Sequence, residues 1–147
     1  MDERVARLKT VVDCERFAIN AAERDRDDLA QEARQRLVEI KTEEYDAKSD
    51  AERAVIEAVY AHEEALTKKN GKRTRASRIW PMIRKYGIIP AIDRVVSRAD
   101  ETTEYALLLE MGLQDYAFEA AVLNYPELFS SDATSRSQAR VDAWQAG

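Results

Sequence analysis

Neither glycine nor proline occurs in the first 70 residues of this chain. These two residues stop helices most readily, and the same stretch is rich in Ala, Glu, Arg and Leu, which favour them. The whole chain of 147 residues holds only four Gly and three Pro, too few for a loop-rich or all-β fold. No alternation of apolar and polar residues lasts long enough for a strand. The expected fold class is therefore all-α: a compact single-domain bundle or short helical array of about seven or eight helices, opening on an N-terminal helical hairpin. A chain of this length buries roughly two-thirds of its unfolded surface, enough for a core of its own.

Local signals divide the chain. Val5, Leu8, Val11, Val12, Ala18, Ala21 and Ala22 recur at helical spacing, with Cys14, Phe17 and Ile19 widening the apolar face, so the first helix spans about Asp2 to Glu23. Arg24-Asp25-Arg26-Asp27-Asp28 has nothing apolar to bury and reads as a turn. A second helix follows from Asp28 to about Tyr45, and the short link favours an antiparallel pair over one long rod. Ser49-Asp50-Ala51-Glu52 matches a capping box before a third helix to Lys69, which Asn70-Gly71 stops. Pro81 restricts the fourth helix to a late start near Ser77 and an end at Gly87. A fifth helix runs from Pro90 to Arg98. Asp100 caps a sixth that Gly112 closes, and a seventh spans Asp115 to Asn124. Phe129 anchors a short turn, and Ser130 or Ser131 caps a last, weakly apolar helix to Gln145. In that helix Trp144 is expected to lie as a lid on the first helices.

Charge is segregated along this series. Residues 68–98 hold ten Lys or Arg and one acid, Asp93, for a net of +9, whereas residues 1–67 and 99–147 each carry −7. Even mixing would serve solubility alone. A positive segment between two acidic ones suits an anionic partner, nucleic acid first. The overall charge of −5 argues against indiscriminate DNA coating, so any such role rests on the local patch. A patch can act alone, because at ~0.15 M salt charges are screened beyond about 8 Å.

The candidate binding residues are Lys68, Lys69, Lys72, Arg73, Thr74, Arg75, Ser77, Arg78, Arg84 and Lys85. Lys and Arg meet phosphates through charge, Arg in bidentate fashion, and the two hydroxyls add donors. Free N–H groups at the start of the following helix would point at a bound anion. Trp80 and Tyr86 would stack on bases if exposed, although Ile79, Ile83 and Ile88 beside them favour burial. The segment only partly fits a helix-turn-helix. The second helix should carry base-reading polar groups near its start, and here that position reads Ile88-Ile89-Pro90-Ala91-Ile92.

Reactive chemistry finds little support. His62 is the only histidine, and Val59 stands where a Glu-x-x-His metal element needs an acid. Cys14 is the only cysteine, which excludes an internal disulfide, fits a reducing cytoplasm, and has no base beside it in sequence. No phosphate-cradling glycine loop is present. Glu43-Glu44 point to different helix faces. The N-terminus lacks a signal-peptide pattern, and no apolar run is long enough for a membrane span. The expectation is a small cytoplasmic, non-enzymatic protein without metal or cofactor that contacts DNA or RNA backbone. The alternative is a helical adaptor or regulatory protein that holds an acidic or helical protein partner, or a second copy of itself, through the same surface or the apolar sixth and seventh helices. A third reading gives the positive segment no partner beyond the protein's own acids.

Overall fold

The computed structural model describes residues 1–98 and 105–146. Among these lie nine α-helices and no strand: α1 (Glu3–Ala6), α2 (Val11–Glu23), α3 (Asp27–Tyr45), α4 (Asp50–Asn70), α5 (Ile79–Tyr86), α6 (Ile88–Val96), α7 (Tyr105–Met111), α8 (Phe118–Asn124) and α9 (Ser131–Ala146). Single 3₁₀ turns occupy Gln114–Tyr116 and Pro126–Leu128. No helix among the described residues is long and apolar enough to cross a membrane. The expected cap at Asp100 lies outside the described residues.

The long α4 is the axis of the fold. Its small residues Ala51, Ala58, Ala61 and Ala65 let neighbouring helices approach closely, and α3, α6, α7 and α8 all pack on it. One side of α4 joins Val55, Ile56 and Val59 to Ile79, Trp80 and Ile83 of α5, Ile92 and Val96 of α6, and Phe118 and Val122 of α8. Another side joins Ala61 and Ala65 to Val38, Leu108, Met111 and Leu113. Each such aliphatic residue contributes about 1.5–3 kcal/mol by leaving water. α2 and α3 form the expected antiparallel pair, turned at Asp25, whose φ of 58° places it in the left-handed region.

Several boundaries follow the local chemistry. The Ser49 hydroxyl accepts the Glu52 N–H at 3.1 Å, while the Glu52 carboxylate reaches back to Lys48 N–H, one residue earlier than a capping box requires. Gly71 ends α4 at φ 71°. Pro81 is the third residue of α5, within the first turn, as its missing N–H demands. Pro90 holds the same place in α6, which therefore starts two residues earlier than expected. Phe129 is buried beneath its turn, and the Ser130 hydroxyl caps α9 by accepting the Ala133 N–H at 3.0 Å.

Three expectations are corrected. The first helix is broken between Ala6 and Val11, because Thr10 is extended and its hydroxyl caps a new helix through the Asp13 N–H at 3.1 Å. Ile19 is not part of the buried face: it is 60% exposed, and Val12 is 57% exposed, since α2 turns its Cys14, Ala18 and Ala21 side to α3. The helix expected from Asp115 to Asn124 is split at an extended, buried Ala117. That kink sends Leu113 and Ala117 into one apolar cluster and Phe118 into the other. Trp144 packs against the cluster that includes Val38 of α3 and Ala61 and Ala65 of α4. It stacks on Tyr105, with ring centroids 3.9 Å apart and planes 8° from parallel.

Candidate functional site

The positive segment follows α4 as an irregular loop, residues 71–78, and the helix pair α5–α6. What fixes the loop is a buried acid that sequence reasoning passed over. Glu63 is 5% exposed on α4, and its Oε2 accepts the Ala76 N–H at 2.8 Å and the Trp80 indole N–H at 2.6 Å. A buried carboxylate is costly unless hydrogen-bonded and paired; the Arg75 guanidinium, 3.7 Å from the same oxygen, completes the arrangement. Thr67 adds a second tie by accepting the Thr74 N–H at 3.0 Å. Trp80 is thereby drawn into the core, with Tyr60 and Tyr45 against its ring. Burying one side of α5 turns its cations outward.

The ten sequence-derived candidates separate into two groups. Toward the acidic hairpin, Arg73 donates from one Nη to both oxygens of Glu15, at 3.0 and 3.1 Å. Arg75 lies between Glu63 and the face of Trp80, 5.6 Å from its centroid. Lys68 lies 3.4 Å from Glu110. The Arg73 and Arg75 pairs line a polar chamber together with Glu64, Lys41 and Tyr60. Burial raises the Glu64 pKa there, partly countered by Lys41. The Thr74 hydroxyl donates to the Lys72 carbonyl and accepts from the Asn70 side chain, so it is engaged locally. Lys69 and Lys72 are exposed at the end of α4 and the start of the loop, and Ser77 is exposed beside Arg78.

The second group faces away from the hairpin. Arg78, Arg84 and Lys85 are exposed and have no carboxylate partner among the described residues. Lys85 lies on the stripe of α5 opposite its core side, and Arg78, the residue before α5, stands seven positions earlier, in line with it by helical spacing. By helical spacing, Arg84 lies on the flank instead. Met82 and Tyr86 occupy the side toward α6, where they meet two cations outside the ten candidates. The Arg94 guanidinium lies 3.9 Å from the Tyr86 centroid, and Arg98 reaches Met82 Sδ at 3.8 Å. Met82, Tyr86, Arg94, Ser97 and Arg98 line a shallow groove between the helices. A signal for the missing pair was present, since Arg94 and Arg98 belong to the same +9 segment.

Asp93, the one acid of this segment, is engaged by two serines, Ser130 and, at 3.5 Å, the groove-lining Ser97. Its carboxylate accepts the Ser130 backbone N–H at 2.6 Å and the Ser130 hydroxyl at 3.0 Å, holding the start of α9. Among the described residues no acid lines the α5–α6 groove.

No protein-family model matches the chain, and neither a curated protein nor a solved structure matches it.

One expected contribution is absent. The start of α5 offers no row of free N–H groups, because the Ala76 carbonyl accepts from Ile79 and Trp80 at 3.0 and 3.2 Å and Pro81 has no N–H. Anion binding here falls to side chains. Cys14 is wholly buried, and burial raises its thiol pKa, which disfavours the reactive thiolate. His62 packs its ring on Phe118, centroids 5.4 Å apart.

Proposed function

We propose that this chain is a small non-enzymatic nucleic-acid-binding protein that holds the sugar-phosphate backbone, DNA first, against its α5–α6 face. The observation that carries the reading is the outward row of Arg78, Lys85, Arg94 and Arg98, with the segment's own acid engaged by Ser130 and Ser97. Arg84 and Lys72 extend the row at its edges. Arg73 and Arg75 play a smaller part, because a phosphate would have to displace Glu15 or Glu63. The contact is with backbone, since α6 begins with apolar residues and offers no polar row to base edges.

Fluorescence anisotropy with labelled DNA and RNA tests this directly. About four to five phosphates neutralised on duplex DNA give a log–log salt slope near −4. Replacing Arg78, Lys85 and Arg94 together by Ala weakens binding at least tenfold for every sequence and flattens the slope by roughly 2 to 3. Replacing Arg73 and Arg75 has the smaller effect. Absence of any complex at low salt with every nucleic acid tried refutes the proposal.

A helical adaptor is the second reading, favoured by a different surface. Exposed Ile19 borders a groove floored by Cys14, Ala18 and Leu37, between α2, α3 and α4. On that reading an Ile19→Asp variant abolishes partner binding, and the α5–α6 triple variant leaves it intact.

A further inference from the structure

Resting on the nucleic-acid reading of the α5–α6 face, we infer that its ligand is a paired double helix and not an unpaired strand. Proteins that take single strands combine a cationic groove with aromatic faces on which unstacked bases lie. A duplex keeps its bases stacked inside and presents rows of phosphate, so it needs cations alone.

The positive segment contains two large aromatics suited to stacking, and neither offers a free platform. Trp80 is 8% exposed, gives its indole N–H to Glu63, and has Tyr45, Tyr60 and Arg75 around its ring. Tyr86 is more open, at 38% exposed, but its ring is occupied by cations. The Arg94 guanidinium lies over it at stacking distance, 3.9 Å from the centroid, and Lys85 Nζ lies 5.1 Å from the same centroid. A base entering here would have to displace Arg94, which the phosphates themselves require. Among the described residues the only other aromatic exposed to this degree is Tyr45, and it is stacked on Trp80 with centroids 5.8 Å apart. Tyr86 therefore serves as a ledge that orients Arg94 and Lys85 toward the groove.

Anisotropy titrations of the full chain against a 20-base-pair DNA duplex and against dT20, at equal low salt, decide the matter. At least tenfold tighter binding of the duplex is expected. In addition, Tyr86→Leu, which removes the ring beneath Arg94 and Lys85, should weaken duplex binding severalfold yet leave the duplex at least tenfold preferred to dT20. Equal or tighter binding of dT20, lost about tenfold in Tyr86→Leu, overturns the inference and leaves the backbone-binding proposal standing. If neither probe binds, the parent proposal fails and this inference with it.

Discussion

At the scale of single residues, one buried carboxylate does most to place the cationic surface. Glu63 lies on α4, thirteen residues before Ala76 and seventeen before Trp80, yet it satisfies donors at both positions. Glu63→Ala would leave two buried N–H groups without an acceptor, at about 1–3 kcal/mol each. Urea unfolding should show a loss of about 2–4 kcal/mol, while Glu63→Gln, which keeps an acceptor oxygen, should lose roughly 1 kcal/mol. Equal losses in the two variants would show that the charge, and not the hydrogen bonding, holds the loop. Sequence marked Glu63 only as one acid among eighteen in residues 1–67. Its burial depends on Arg75 and Trp80 returning to α4, which no spacing rule reveals. Arg140 is a similar case. From a weakly apolar helix it donates to the Val96 and Arg98 carbonyls at 2.9 and 2.8 Å and to Glu119 at 3.2 Å, tying α9 to the end of α6.

At the scale of elements, helix ends were legible wherever a residue type is demanded by backbone geometry. Gly71 and Gly112 both close helices with positive φ, at 71° and 75°. They differ in surroundings, and that difference is a prediction. A Cβ on Gly71 meets nothing within 4 Å, so Gly71→Ala carries only the left-handed backbone penalty, about 1–2 kcal/mol. A Cβ on Gly112 would come within 2.5 Å of the Gln31 Cβ, and overpacking adds about 1–3 kcal/mol. Thermal melts should therefore show Gly112→Ala below Gly71→Ala by several degrees, at about 2–4 °C per kcal/mol for a chain near this size. Breaks made by non-glycine residues were not legible. Thr10 and Ala117 end helical patterns whose apolar periodicity continues: at Ala117 the break sends Leu113 and Phe118 into different clusters, whereas around Thr10 both Leu8 and Val11 pack against Cys14, Leu37 and Ile40.

At the scale of the whole molecule, burial and the surrounding acids set an alkaline limit. Desolvation, reinforced by Glu57, Glu39 and Asp115, pushes the Tyr116 pKa up to about 12 from 10.0. The folded protein thus keeps a proton that the unfolded chain gives up. This contribution to stability is complete below pH 10 and is lost as pH rises to about 12. Denaturant midpoints measured from pH 9 to 12 should fall less steeply in Tyr116→Phe than in the parent protein. Parallel pH profiles would remove Tyr116 as the source of that limb.

Composition and periodicity alone determined the all-helical class, the α2–α3 pair, the bounds of α4 and the positive stretch after it. These are local properties: propensity, capping and the count of charges act over a few residues. Only the tertiary structure decided which of these exposed cations meet an acid. Arg73 and Arg75 are adjacent in sequence to Arg78 and chemically the same, yet the first two meet Glu15 and Glu63 while the third meets no acid among the described residues. The physical reason is that an ion pair is fixed by distance in space, and the carboxylates concerned stand 58 and 12 residues away along the chain.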